Sequence, residues 1–267
     1  MDSADILALM KQVADDLVRP RFQRLEPDQI MQKQPGDFVT VADQEAEVWL
    51  TEQLRGRYPK AAFIGEEAVA GDPALLDGIA QHEHAFVIDP IDGTRNFVQG
   101  DPNYAVMIGE LRLGQATRGW IWQPEFGVAL VGEKGAGVER NGVRLAALER
   151  SSRPSGTATV SRLIGFRHPS LASSIRSSWW CAGVDYPMLF DGRIDFCCFK
   201  PPKPWDHVPG VMMLRELGGV AGVDRGPQYQ ADVSQGELIV AADAQIYRTV
   251  EQVMAAAGPA GASVGHH

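Results

Sequence analysis

The sequence predicts a mixed α+β / α/β protein, and three observations carry that prediction. Apolar residues recur at helical spacing over residues 5–23. Short apolar runs bounded by turn residues then succeed one another through residue 131, which is the signature of strands. After a polar interval, helical and strand-like segments alternate to the end of the chain.

At the N-terminus Ile6, Leu7, Met10, Val13, Leu17 and Val18 share one helix face with charges between them, and Pro20 marks the break. Lys33-Gln34-Pro35-Gly36-Asp37 reads as a turn into the short strand Phe38-Val39-Thr40-Val41. Thr40-Val41-Ala42-Asp43 satisfies a capping-box pattern, so a second helix runs from Asp43 towards Arg57 with Ala46, Trp49, Leu50 and Leu54 inward. Taken locally, Asp43 needs no role beyond capping that helix. Ala61-Ala62-Phe63-Ile64-Gly65 is strand-like and runs straight into Glu66-Glu67.

The next strand, Ala85-Phe86-Val87-Ile88, ends in Asp89-Pro90-Ile91-Asp92-Gly93-Thr94. Pro90 fixes the chain, so Asp89, the Ile91 carbonyl and Asp92 can present three hard oxygens to a Mg²⁺-like ion. Gly93 lets backbone approach a ligand closely, and a helix turn starting there would aim the amides of Gly93 and Thr94 at an anion. A cation and an anion at one corner point to phosphoryl chemistry; a solvated Pro-Gly turn is the plainer alternative for this stretch alone.

Val106-Met107-Ile108, Gly119-Trp120-Ile121-Trp122 and Val128-Ala129-Leu130-Val131 form an antiparallel meander, with 132–137 and Asn141-Gly142 as turns. The polar stretch from Glu149 to Gly156 reads as a link, dividing the chain into 1–148 and 149–267. Beyond it a short helix covers Val184 to Phe190, and Asp191-Gly192-Arg193 turns into a strand from Ile194 to Phe199. Pro204 stops what precedes it. A helix follows Trp205-Asp206-His207, with Val208, Val211, Met212 and Leu214 inward and Gly218-Gly219 at its end. Asp206 stands near that helix's N-terminus, where capping alone explains an acid. Leu238 to Ala242 is a last strand, Ile246 to Ala257 a last helix, and the Gly/Ala-rich tail from Gly258 reads as frayed.

A formal charge of −9 and the lack of a basic stripe exclude a nucleic-acid interface. Cys181, Cys197 and Cys198 are an odd set without metal-ligand spacing, so no structural disulfide and a reducing compartment are expected. The start lacks a basic signal region and no apolar run reaches membrane-spanning length, which gives a cytoplasmic protein without a membrane partner.

Together, Asp37-Phe38-Val39-Thr40-Val41-Ala42-Asp43, Phe63-Ile64-Gly65-Glu66-Glu67, Ile88 through Phe97 and Pro204-Trp205-Asp206-His207-Val208-Pro209-Gly210 resemble the inositol monophosphatase family of Mg²⁺-dependent, lithium-sensitive sugar-phosphate phosphatases. Four motifs in order over most of the chain carry the resemblance. It implies a layered αβαβα sandwich, a homodimer, two or three Mg²⁺ ions and a small phosphorylated polyol or sugar as substrate. By the same resemblance Glu66, Asp89 and the Ile91 carbonyl bind one Mg²⁺, and Asp89, Asp92 and Asp206 a second. Glu67 supports the metals, Asp43 and Thr94 position and deprotonate the attacking water, and the amides of Gly93 and Thr94 hold the phosphate, with Asp206 also on the substrate side.

The departures fall on the substrate side. Where many members have a hydroxyl-binding Glu, seven residues before the Trp-Asp aspartate, this chain has Phe199, and a small-residue segment of the family is represented by Trp180-Cys181-Ala182-Gly183. Lys33 matches the family's metal-loop lysine except that the local spacing is one residue short, so it stays outside the expected site. Lys200 and Lys203 are either anion contacts or solvated, and His207 is a helix-face residue rather than a ligand. The rivals with the same chemistry are histidinol phosphate, fructose bisphosphate and adenosine 3′,5′-bisphosphate as substrates. The rival of another class is a non-catalytic regulatory protein-binding module.

Overall fold

The computed structural model describes residues 1–34, 36–149, 151–223, 228–233 and 235–258. Pro35 of the expected turn, Arg150 of the expected link and the expected frayed tail beyond Gly258 lie outside the described residues.

A reciprocal capping box between Asp2 and Asp5 starts α1 (Ser3–Val13). The helical spacing continues as a wider π turn, Ala14–Val18, and a tight turn, Arg19–Arg21, so Pro20 falls inside a 3₁₀ turn instead of ending a regular helix. β1 (Ile30–Gln34) and β2 (Asp37–Thr40) pair as an antiparallel hairpin. β1 escapes the sequence reading because it is polar and mostly exposed, leaving no alternation to detect. α2 (Val41–Arg57) begins two residues earlier than expected. Its cap is Thr40, whose hydroxyl accepts from the amides of Ala42 and Asp43 while Asp43 accepts from the Thr40 amide.

β3 (Ala62–Gly65), α3 (Glu66–Gly71), β4 (Ala85–Asp92) and α4 (Thr94–Val98) follow. The expected meander is β5 (Ala105–Arg112), β6 (Gln115–Gln123), β7 (Val128–Glu133), β8 (Gly137–Arg140) and β9 (Val143–Arg144). The seven strands β3 to β9 lie in chain order in one sheet, parallel between β3 and β4 and antiparallel thereafter. Asn141 and Gly142, with φ of +50° and +77°, make the turn between β8 and β9.

The second half holds β10 (Gly156–Ala158), β11 (Arg176–Ser177), α5 (Ala182–Phe190), β12 (Phe196–Phe199), α6 (Pro204–Glu216), β13 (Val220–Val223), β14 (Leu238–Ala241) and α7 (Ala244–Ala256). Its five-stranded sheet has the order β11-β10-β12-β14-β13. Pro204 begins α6 rather than merely stopping what precedes it, because the first helical position needs no N–H.

β4 shows how the layers arise. All eight of its residues are buried. Phe86 and Ile88 pack with Ile6, Met10, Leu50 and Leu54 of α1 and α2, while Ala85 and Val87 join the opposite core with α5, α6, the second sheet and α7. The order is therefore helices, sheet, helices, sheet, helix, the expected αβαβα sandwich. Among the described residues no helix is long and apolar enough to cross a membrane, and all three cysteines are free and buried.

α6 lies on the larger sheet through a row of glycines. Gly109 pairs with Gly119, and Gly119 with Gly132, so three neighbouring strands lack side chains along one line. A Cβ at Gly109 would stand 2.7 Å from Val208, at Gly119 2.9 Å from the Pro209 backbone, and at Gly132 2.7 Å from Met213. The row is thus a groove for α6, and it fixes the depth at which Asp206 arrives. Gly119→Ala is expected to cost about 1–3 kcal/mol by forcing backbone against backbone, lowering Tm by several degrees in a thermal melt. An unchanged Tm would contradict this packing.

Candidate active site

β3 ends at Gly65, opposite Ile88, while β4 runs on to Asp92. Glu66, which follows β3, therefore emerges beside the acids at the end of β4. On β4, Asp89 opposes Met107 and Asp92 opposes Ala105, so β4 carries one extra residue between them. An offset of three in a regular strand puts two side chains on opposite faces; the bulge brings both aspartates to the same one. The bulge lies at Pro90 and Ile91, where a missing N–H is tolerated.

α3 starts at Glu66 because Glu47, from α2, accepts its free amides at Glu67 (2.7 Å) and Ala68 (2.8 Å). A side chain at residue 65 would collide with that carboxylate, its Cβ 2.1 Å from Glu47 Cδ. Glu47 was not singled out from the sequence. The available signal was its position four residues after Asp43, on the same helix face.

Glu66, Asp89 and Asp206 each offer a carboxylate oxygen within 4.8 Å of the others. Asp92 Oδ2 accepts from the Gly183 amide at 2.5 Å and the Cys181 thiol at 3.1 Å. Asp43 has one oxygen occupied by the amide and hydroxyl of Thr40, and the other accepts from the Thr94 hydroxyl at 3.0 Å. Thr94 Oγ1 also stands 3.0 Å from the Ile91 carbonyl. Gly93 caps α4 with φ +84°, and a Cβ there would lie 3.0 Å from that of Cys181. All the residues expected at the site thus meet at one corner.

Lys33 belongs there as well. Its ammonium donates to Glu66 at 2.9 Å and Glu67 at 2.7 Å. The one-residue mismatch in spacing is absorbed by a bulge in the hairpin: Gln32 opposes Phe38 and Gln34 opposes Asp37, leaving Lys33 as the extra residue. Burial pulls Lys33 down, but the charges and hydrogen bonds of the two glutamates outweigh it and hold its pKa above the ordinary value.

The acids strain against one another. Burial pushes Asp43 up to about 7 despite its hydrogen bonds from Thr40 and Thr94, and Asp92 up to about 6 despite Gly183 and Cys181. Burial and the charge of Glu66 push Glu67 up to about 8 against the pull of Lys33. Asp89 and Asp206 are pushed well above the carboxylate range by burial and by neighbouring acids. With folded values above an unfolded value of about 4, the cation-free cluster favours folding while protonated and opposes it progressively as pH rises from about 4 towards 8. A divalent cation among these hard oxygens would offset the burial and the repulsion alike, so the donor set fits Mg²⁺.

Of the residues expected on the substrate side, Phe199 is buried, its ring 5.7 Å from Tyr186 and 4.7 Å from His207. His207 faces the core, its Nδ1 3.2 Å from the Tyr186 hydroxyl, and burial pushes it down to about 3, so it is neutral. Trp179 packs against the core, whereas Trp180 is exposed. Lys200 reaches Glu237 at 3.8 Å, and the Lys203 ammonium lies 5.7 Å from the Trp205 ring centre.

The model of the inositol monophosphatase family matches residues 4–255. A Nus factor SuhB of Vibrio cholerae is 27% identical over 218 residues, covering 78% of this chain and 79% of that protein. An inositol-1-monophosphatase of Mesorhizobium japonicum is 28% identical over 249 residues, covering 86% and 87%. The solved structure of a Thermotoga maritima IMPase superposes with a TM-score of 0.78 at 24% identity, over 97% of this chain and 100% of that one.

Asp92→Asn removes one repelling charge while its amide oxygen still accepts from Gly183. In thermal melts at pH 7.5 it is expected to raise the Tm of the cation-free protein and at least halve the gain, roughly several degrees, that millimolar Mg²⁺ gives the unaltered chain. An equal Mg²⁺ gain in both would contradict the grouping of Asp92 with the other acids.

Proposed function

Because the chain belongs to the inositol monophosphatase family, a family of phosphatases, we propose that it is a Mg²⁺-dependent phosphatase of small phosphorylated polyols or sugars. The observation that carries this reading is the Asp43–Thr94 pair, 3.0 Å apart, beside oxygens of Glu66, Asp89 and Asp206 that lie within 4.8 Å of one another.

Glu66, Asp89, the Ile91 carbonyl, Asp92 and Asp206 would hold Mg²⁺. When bound, Mg²⁺ supplies charge neutralisation for the phosphate and the departing alkoxide and makes water a better nucleophile. Thr94 donates its proton to Asp43, which leaves lone pairs on its hydroxyl oxygen free to orient a water for in-line attack. Asp43, anchored by Thr40, takes up the Thr94 hydroxyl proton as the Thr94 oxygen receives one from the water. The amides of Gly93 and Thr94 hold the phosphate oxygens. Glu67 and Lys33 keep Glu66 oriented. On this reading residues 1–148 supply the corner and 149–267 close it with Asp206.

The description of the Vibrio relative as a Nus factor gives a regulatory, protein-binding role as the alternative. The complete set of acids supports catalysis over it. Phosphate release from a panel of small monoesters, with and without Mg²⁺, tests the choice. Asp43→Asn is expected to lower kcat roughly 100-fold or more while keeping the Mg²⁺ gain in Tm. No Mg²⁺-dependent release from any ester, or full activity in Asp43→Asn, would overturn the reading.

A further inference from the structure

Glu66 and Glu67 stand on the first turn of α3, and that turn cannot hold itself. α3 is six residues long, and its N-cap, Gly65, has no side chain with which to accept the free amides. A helix so short is unstable without tertiary support. The support comes from α2. Glu47, 5% exposed, takes the Glu67 amide on Oε2 at 2.7 Å and the Ala68 amide on Oε1 at 2.8 Å.

The choice of an acid is costly and specific. Burial pushes the Glu47 carboxyl up, the charge of Glu66 adds to that push, and the two amides and Lys33 work against it. A further carboxylate in a corner already crowded with acids is unfavourable unless its two oxygens are both needed. They are: glutamine offers one acceptor, and its NH₂ would face the second amide donor to donor. Gly65 is bound into the same arrangement, because a Cβ there would collide with the Glu47 carboxylate. With both oxygens taken by amides, Glu47 is left without the role of a metal ligand.

One turn of α2 therefore carries two tasks. Asp43, four residues before Glu47 and so on the same helix face, holds the Thr94 hydroxyl, while Glu47 holds the backbone from which Glu66 projects. The proton-accepting pair and the first acid of the cation cluster are thus referenced to one rigid element.

We infer that Glu47 is a positioning residue that sets the cation affinity of the corner through the backbone of α3, without touching the cation. The inference rests on the Mg²⁺-dependent reading above and deepens it.

Calorimetric titration of the full chain with Mn²⁺ gives a readout independent of turnover. Glu47→Gln is expected to raise the Mn²⁺ Kd about ten-fold and the Mg²⁺ concentration for half-maximal phosphate release by a similar factor, with kcat at saturating Mg²⁺ changed far less. Gly65→Ala, which displaces the same carboxylate, is expected to raise Kd comparably, and the double variant no further than either single one. A purely structural cap would lower Tm and leave Kd where it was. An unchanged Kd in folded Glu47→Gln overturns the inference, as do single effects on Kd that multiply in the double variant. If Glu47→Gln does not fold, an unchanged Kd in Gly65→Ala overturns it instead. Mn²⁺ binding without release from any ester overturns the phosphatase reading alone, and no Mn²⁺ binding to the unaltered chain overturns both.

Discussion

Carboxylates repel one another at the ends of β3 and β4, and the surrounding architecture is arranged to withstand that repulsion. Glu66, Glu67, Asp43, Asp89, Asp92 and Asp206 crowd one corner, and burial and their neighbours push most of them towards protonation. Charges in that state separate unless something holds them. Most of the acids accordingly have a restraint of their own. Glu47 pins the start of α3, Thr40 holds Asp43, Gly183 and Cys181 hold Asp92, and the glycine row seats α6 so that Asp206 arrives at depth. Lys33 offsets part of the charge through Glu66 and Glu67. A scaffold that gives up stability to gather like charges is what the proposed Mg²⁺ site requires.

Much of this was legible in the sequence wherever a residue type has few alternative roles. An apolar run ending in Asp-Pro-x-Asp-Gly-Thr marks β4 and its ligand-bearing end, and the Pro within it accounts for the bulge that turns Asp89 and Asp92 to one face. The capping box at Thr40 and Asp43 was legible locally as a cap, and the pairing of Asp43 with Thr94 only through the family resemblance. The second partner of Asp43, Thr94, lies 51 residues away, and no local pattern reports a contact that the sheet creates. β1 and β13 were missed for different reasons. β1 is polar and exposed, and β13 is a four-residue strand, Val220–Val223, whose half-buried pattern follows directly on a helix end. Lys33 shows the limit of counting: a bulge inserts one residue in the hairpin, so a spacing rule rejects a side chain that geometry delivers.

The two halves of the corner differ in how freely they vary. The acidic side is closely held, since Asp43, Asp92, Glu66 and Glu67 each have a hydrogen-bond partner in the protein. The residues that depart from the family pattern lack such polar partners: Trp180 is exposed with a positive φ, and Phe199 is buried in a ring cluster with Tyr186 and His207. The difference explains why the departures from the family pattern cluster where they do. A change at Trp180 or Phe199 touches none of those hydrogen bonds, while replacing a buried acid unbalances the charges around it.

Anomalous diffraction from crystals soaked in Mn²⁺ decides whether these carboxylates form a cation site. A strong anomalous peak is expected among Glu66, Asp89 and Asp206, within coordination distance of the Ile91 carbonyl. A Mn²⁺-soaked crystal with no peak at that corner, and the three carboxylates still crowded together, would contradict a cation-centred scaffold.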